Sequence, residues 1–335
     1  MTASDAHPTL ELDVAAMRSR PWNLRLGDCF RTAFKPALRI ALWLIAITVP
    51  VSFSVLLLDH SGALAWIADR FAPFFGLLGL PGESALVFVT AAMLNNYAAI
   101  AVIEALGLGG RSATILALMV LITHNLPVEV AVQRRSGLKT WLSIPIRLLA
   151  SAVGAIALNA LLPAETATAP LAVQTTGTRA FWPAVLPWLT ATGALCLKMV
   201  TLIVALMVLQ RILEEFGVIR WLSRLLHVPL QILGLPPRTA FLWIVANTLG
   251  LAYGAGIIID HVERGSLSDR DVLLINSHVA VCHSLLEDTL LFVAIGVPAF
   301  WITVPRIGIA ASVVWSIRLA IRLWGCRTRK PASAS

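Results

Sequence analysis

Charge is scarce in this sequence. Asp, Glu, Lys and Arg together make up 13% of 335 residues, against 58% apolar residues. The surface of a soluble domain carries far more charge than that, so a water-soluble globular protein is excluded. Cysteine occurs only four times, at Cys29, Cys196, Cys282 and Cys326, with no C-x-x-C pair. That spacing offers neither a zinc finger nor a disulfide framework. No G-x-x-x-x-G-K-[ST], H-E-x-x-H or G-x-S-x-G motif occurs, so a phosphate-binding loop, a zinc-protease helix and a hydrolase elbow are all missing. Ser284 stands beside His283, but adjacency alone does not make a nucleophile. The expectation is therefore a protein that is not an enzyme, with no cofactor implied. Residues 1–36 contain Asp, Glu and Arg but no apolar run, which argues against a cleaved signal peptide.

What the sequence does have is apolar runs near the length of about 20 residues that a bilayer-spanning helix needs. They lie at 37–58, 84–106, 112–133, 142–162, 184–210, 239–260, 272–303 and 306–325. Segments 61–78 and 214–235 mix charge with Trp and other apolar residues at helical spacing, which suits helices lying in the membrane interface. The net charge of +8 comes from basic clusters around Arg18–Arg39, Arg111, Arg134–Arg147, Arg211–Arg238 and Arg318–Lys330. Arg70, Arg179, Arg264, Arg270 and Arg306 fall in the sparser segments between. The positive-inside rule then puts both termini in the cytosol of a bacterial inner membrane and 163–183 outside. The expected partner of the basic residues is the lipid bilayer, with no nucleic acid.

The chain repeats itself. Leu78-Gly79-Leu80-Pro81 returns as Leu233-Gly234-Leu235-Pro236, and Ala85, Ala91 and Leu94 return at the same offset as Ala240, Ala246 and Leu249. A polar motif, H-x-L-x-x-[E/D]-x7-G, occurs from His124 to Gly137 and again from His283 to Gly296. With both tails on one side and the linker on the other, each half crosses an odd number of times, so the repeats are inverted. Keeping Arg111 and Arg134–Lys139 on one side requires 112–133 to be a re-entrant hairpin broken near His124–Pro127, and 272–298 to be its counterpart; the alternative is two full spans per half with a few basic residues outside. The expected fold is an all-α integral membrane protein. Each half has about three spans, an interfacial helix and a re-entrant or broken hairpin. The divisions are a tail over 1–36, a first repeat over 37–162, an external linker over 163–183, a second repeat over 184–325 and a tail over 326–335.

The LGLP-led span, the paired H-x-L-x-x-acid elements and the stretch Asn276–Gly296, NSHVAVCHSLLEDTLLFVAIG, resemble the Gate, or nucleoside-recognition, superfamily. That family includes the gates of bacterial ferrous-iron permeases, parts of concentrative nucleoside transporters and the spore maturation membrane proteins. The resemblance implies a permease or gate for a small solute, with nucleoside recognition or membrane assembly as alternatives. The nucleotide-hydrolysing domain that accompanies iron-permease gates has no counterpart here.

Ionisable residues within spans are costly and default to functional candidates. His124, Asn125 and Glu129 pair by symmetry with His283, Ser284 and Asp288, and Glu287 adds a further carboxylate. Asn95, Asn96, Asn247 and Asn276 are neutral polar neighbours. Imidazoles and carboxylates suit a divalent metal, so His124, Glu129, His278, Cys282, His283, Glu287 and Asp288 form the candidate metal set. They suit proton relays and nucleoside hydrogen bonds as well. A cation is slightly favoured because few aromatic residues stand among them. Glu104 and Asp260 sit near span ends and are expected simply to reach water. Mid-span Lys198 has no symmetric partner and is read as a neutraliser of Glu287 or Asp288, with snorkelling to the interface as the alternative. A second copy or a separate subunit is left open as a partner.

Overall fold

The computed structural model describes residues 21–163, 181–226, 229–248 and 250–328. Most of the two tails, most of the 163–183 linker, and Leu249 lie outside the described residues. Every described element is helical, with five helices long and apolar enough to cross a membrane. The chain is an all-α integral membrane protein.

The scaffold is a pair of very long helices, α1 (Trp22–His60) and α8 (Phe181–Glu215). One face of α1 is a buried stripe of mostly small residues, among them Ala33, Ala37, Ala41, Thr48 and Ser52, recurring at helical spacing. Small side chains let another helix approach closely, and α8 answers with Thr192, Leu195, Met199 and Ile203. The pair is antiparallel. Arg25 Nε lies 2.9 Å from Glu215 Oε1 at one end, and the rings of His60 and Phe181 are 5.3 Å apart at the other. The outer faces expose Trp43, Leu57, Leu186 and Leu197, as a lipid-facing surface does.

After α1 comes the interfacial-type helix α2 (Ala63–Leu77), ended at Gly79. Gly79 has φ +72 and its repeat partner Gly234 has φ +80, a left-handed cap that closes the preceding helix in both halves. Two short helices follow, α3 (Ser84–Met93) and α4 (Asn96–Ala105). Each is about 15 Å long, half the thickness of the bilayer core. They pack against each other along their length, so the segment folds back on itself. Next come α5 (Gly110–Thr123) and α6 (Leu126–Arg135), which continue one another with little mutual contact, and α7 (Thr140–Leu161). Helix α5 is buried on all sides, as expected of a helix at the centre of a bundle.

The second half repeats the order. Behind α8 stand α9 (Val218–Leu226) and α10 (Pro229–Ile232), then the folded-back pair α11 (Ala240–Thr248) and α12 (Leu251–Glu263). The broken span is α13 (Asp269–Val281) with α14 (Leu285–Val293), and α15 (Ala299–Thr328) closes the chain. Between α11 and α12, Gly254 lies so close to Ala246 that an added Cβ would come within 2.6 Å of the alanine methyl.

The sequence-based placing of the hairpins is therefore corrected. The segments that fold back are 84–105 and 240–263, expected to be spans. The segments expected to be hairpins, 112–133 and 272–298, are broken but run on in line. Gly110–Arg135 is 26 residues long, enough to cross a bilayer. Arg111 and Arg134 consequently lie at opposite ends of one span. Arg111 is held there by carbonyls, donating to Gly79 O at 3.0 Å and Asn159 O at 2.7 Å.

Candidate functional site

Both broken spans break in the same way. Helix α5 ends at His124 and α6 starts after Asn125, which is left-handed at φ 49; Cys282–Ser284 does the same between α13 and α14, with Ser284 at φ 48. Each break is pinned by the end of the neighbouring hairpin arm. Asn125 N–H donates to Ala91 O at 2.8 Å, and Ser284 N–H donates to the equivalent Ala246 O at 3.0 Å. Left-handed non-glycine residues are strained and mark places that the surrounding structure overdetermines.

A buried arginine splints each break. Arg147, on α7, donates to Ile122 O at 2.7 Å and His124 O at 2.9 Å, the last carbonyls of α5. Its guanidinium also lies 2.6 Å from Glu129 Oε2 in the first turn of α6. Arg306, on α15, bonds His283 O and lies 3.6 Å from Asp288 Oδ2 in the first turn of α14. Cation on helix C-terminus and acid on helix N-terminus is the favourable arrangement for both dipoles. Both arginines are fully buried. Sequence reasoning counted them as topology markers and missed them. The signal was present, because Arg147 and Arg306 stand at the same separation as His124 and His283.

The imidazoles meet in the middle, their ring centres 5.3 Å apart. His124 Nδ1 faces Val120 O at 3.2 Å and His283 Nδ1 faces Val279 O at 2.8 Å. A carbonyl only accepts, so both Nδ1 atoms carry hydrogen and both Nε2 atoms turn toward the centre. There the two Nε2 atoms lie 2.9 and 3.2 Å from a single carboxylate oxygen, Glu129 Oε1. Ligand atoms of His124, His283 and Asp288 fall within 4.8 Å of one another. The first hairpin reaches across to the second half. Asn96 Nδ2 donates to Asp288 Oδ1 at 2.9 Å, and Tyr97 O–H lies 3.3 Å from Glu287 Oε1.

The expected residues thus divide. His124, Glu129, His283, Glu287, Asp288 and Asn96 converge, joined by Tyr97, Arg147 and Arg306. Asn125 and Ser284 form the breaks themselves, and Asn95 caps α4 by accepting from Ala98 N–H at 2.9 Å. His278 is elsewhere, its Nδ1 accepting from Trp243 Nε1–H at 3.1 Å, while Asn247 donates to Trp243 O and Cys282 faces Asn247 Oδ1. Lys198 is exposed on α8, so the neutralising role assigned to it belongs to Arg306. Glu104 is exposed and Asp260 half-buried, both near helix ends.

No family model matches the chain, and no solved structure matches it. A protein of Bacillus subtilis (strain 168), the "Uncharacterized membrane protein YvoD", is 32% identical over 278 residues, covering 82% of this chain and 89% of its own length. At that identity and coverage the chain belongs to the same family of membrane proteins as YvoD.

Proposed function

We propose that the chain is a multi-pass permease or gate of the bacterial inner membrane that passes a small solute through the site where the two broken spans meet. A divalent metal cation is the favoured cargo. One observation carries this reading: the Nε2 atoms of His124 and His283 lie 2.9 and 3.2 Å from the same carboxylate oxygen, Glu129 Oε1, with Asp288 beside them. Three acceptors at that spacing repel unless a cation or proton sits among them, and separations near 3 Å match neighbouring ligands around a metal ion. Nδ1–H on a backbone carbonyl is how metal-ligating histidines are usually oriented. Arg147 and Arg306 offset the charge of Glu129 and Asp288. That keeps cation affinity low enough for release, which conduction requires.

The repeated element order and the buried polar breaks support the resemblance to the Gate superfamily. They support a carrier rather than a catalyst. Uptake into proteoliposomes, measured over a panel of divalent metals and nucleosides, tests the reading. Replacing both imidazoles, His124→Gln with His283→Gln, leaves each arginine–carboxylate pair intact. Metal uptake should fall at least tenfold with the melting temperature little changed. Undiminished uptake refutes the site. Uptake of nucleosides alone selects the alternative cargo, and uptake of neither by the unaltered protein selects an assembly role.

A further inference from the structure

Near the end of the molecule where His60 meets Phe181, a cavity of about 250 Å³ lies between α1, α4 and α8. Protein interiors are close-packed, so a void of that size has a local cause. Ala101 and Ala105, on one face of α4, and Ala191 on α8 are too short to fill the space between the three helices. None of the side chains that converge on the broken spans lines this cavity. It is a second, separate site.

The two ends of the cavity differ. At the mouth stand Asp59 and Glu104, both exposed. Among the described residues neither carboxylate has an ion pair or a side-chain hydrogen bond. At the floor stand Ser52 and Thr192, 3% and 6% exposed. Trp188 Nε1–H donates to Ser52 Oγ at 3.0 Å, and the two hydroxyls lie 3.3 Å apart. Two hydroxyls bring two hydrogens, and the bond between them uses one. Whichever of the pair donates it, the other keeps an O–H with no acceptor among the described residues. A buried donor left over in this way calls for an acceptor from the cavity. Between floor and mouth, which are two turns of α1 or about 10 Å apart, the wall is Val55, Leu56, Leu64, Leu195 and the ring of Trp188.

Charge and shape together select the occupant. An anion meets two carboxylates. An acyl chain leaves the hydroxyl hydrogen and both charges without partners. A metal ion finds two carboxylates against a mostly aliphatic wall, whereas the group of three metal-type ligands among the described residues is at the central site. The volume falls just below the range of about 300–1,000 Å³ usual for drug-sized ligands, so the occupant is small. We propose that this cavity binds a small organic cation, an amine or quaternary ammonium compound that also carries a hydroxyl or carbonyl oxygen. Its nitrogen pairs with Asp59 and Glu104, and its oxygen accepts the spare hydroxyl hydrogen at the floor. Its carbon skeleton lies along the aliphatic wall and Trp188, whose ring attracts cations as well. The site stands whatever the central one carries.

Isothermal titration calorimetry of the full chain in phosphatidylglycerol nanodiscs tests this, since that lipid carries no amine. The probes are choline and ethanolamine, each set beside its oxygen-free analogue, propyltrimethylammonium and propylamine. Propionate and 1-propanol are the anionic and neutral controls. At least one of the two probes should bind with a dissociation constant of about 1 mM or tighter, which is within reach of so small a ligand. Its analogue should bind at least threefold more weakly and both controls at least tenfold more weakly. Asp59→Asn with Glu104→Gln should weaken the probe at least tenfold and leave the melting temperature in place, because neither carboxylate has a described partner to lose. His124→Gln with His283→Gln should bind the probe as the unaltered chain does, which keeps this test apart from the uptake test of the central site. Absence of binding by both probes refutes the site, as does an affinity unmoved by the loss of the two carboxylates. Equal binding of 1-propanol would make the cavity a seat for lipid chains and refute it too.

Discussion

Arg147 and Arg306 hold the two halves of the site in register, and each is tied to a backbone break as well as to an acid. Removing one member of a buried ion pair strands the other, at a cost of roughly 3–5 kcal/mol, whereas replacing both by apolar groups of similar volume is often neutral. Arg147 complicates this rule because Ile122 O and His124 O would lose their donor too. Arg147→Met should therefore lower the melting temperature sharply. Adding Glu129→Leu should restore part of the loss, but less than a simple pair would, since the carbonyls stay unpaired. Arg147→Lys should behave more like Arg147→Met than like the unaltered protein, because an ammonium cannot reach two carbonyls and a carboxylate in one plane. Thermal unfolding of the three variants checks this. Full recovery in the double variant would mean that the guanidinium serves the carboxylate alone.

At the scale of elements, the repeat, the two breaks and most of the converging side chains were legible in the sequence, because His, Glu and Asp inside apolar runs are conspicuous. The folding of the elements was not. Runs 84–106 and 112–133 are closely alike in length and apolar character, and the fold-back at Leu94–Asn95 carries neither Pro nor Gly. Pro127 drew attention to the other run, yet it stands near the start of α6, where its missing N–H costs nothing. Arg111 reinforced the error. Read as a free charge it demands the cytosolic side, but its guanidinium is occupied by the carbonyls of Gly79 and Asn159. Arg306, placed outside by the same rule, is in the core. The clearest mark of a true fold-back is Gly254 against Ala246. Gly254→Leu should push α12 from α11 and destabilise the protein by about 1–3 kcal/mol, the usual cost of overpacking. Gly256→Leu, on the same helix with no neighbour within 4 Å of its Cβ position, should cost far less. Equal losses in thermal unfolding would show that the two arms are not in contact.

For the whole molecule, the corrected hairpins change which charges share an end. Arg25 and Glu215 meet at one end, and Arg238 pairs with Asp271 at 2.6 Å at the start of α13. Ser136 bonds Asn276 there, and Trp315 Nε1 donates to Ile232 O at 2.9 Å, so the C-terminal part of α15 returns to the same end. Since α11 and α12 fold back, Arg264 and Arg270 join this end too, although the sequence reading had put them opposite. Among the described basic residues, the other end keeps Arg70 and Arg111, and Arg111 is tied up in carbonyls. The positive-inside bias is therefore stronger for the observed arrangement than for the expected one, and the proposal that the rich end faces the cytosol rests on it. Single cysteines at three exposed positions test this: Glu104→Cys, Arg135→Cys and Glu263→Cys, labelled in intact cells with a membrane-impermeant maleimide. Glu104→Cys should label from outside, and the other two only after permeabilisation. The position of Glu104 decides between the arrangements. If 84–106 were a span and 112–133 a hairpin, Glu104 would lie beside Arg111 and Arg134 in the cytosol. Protection of Glu104→Cys in intact cells would overturn the fold-back of α3 and α4.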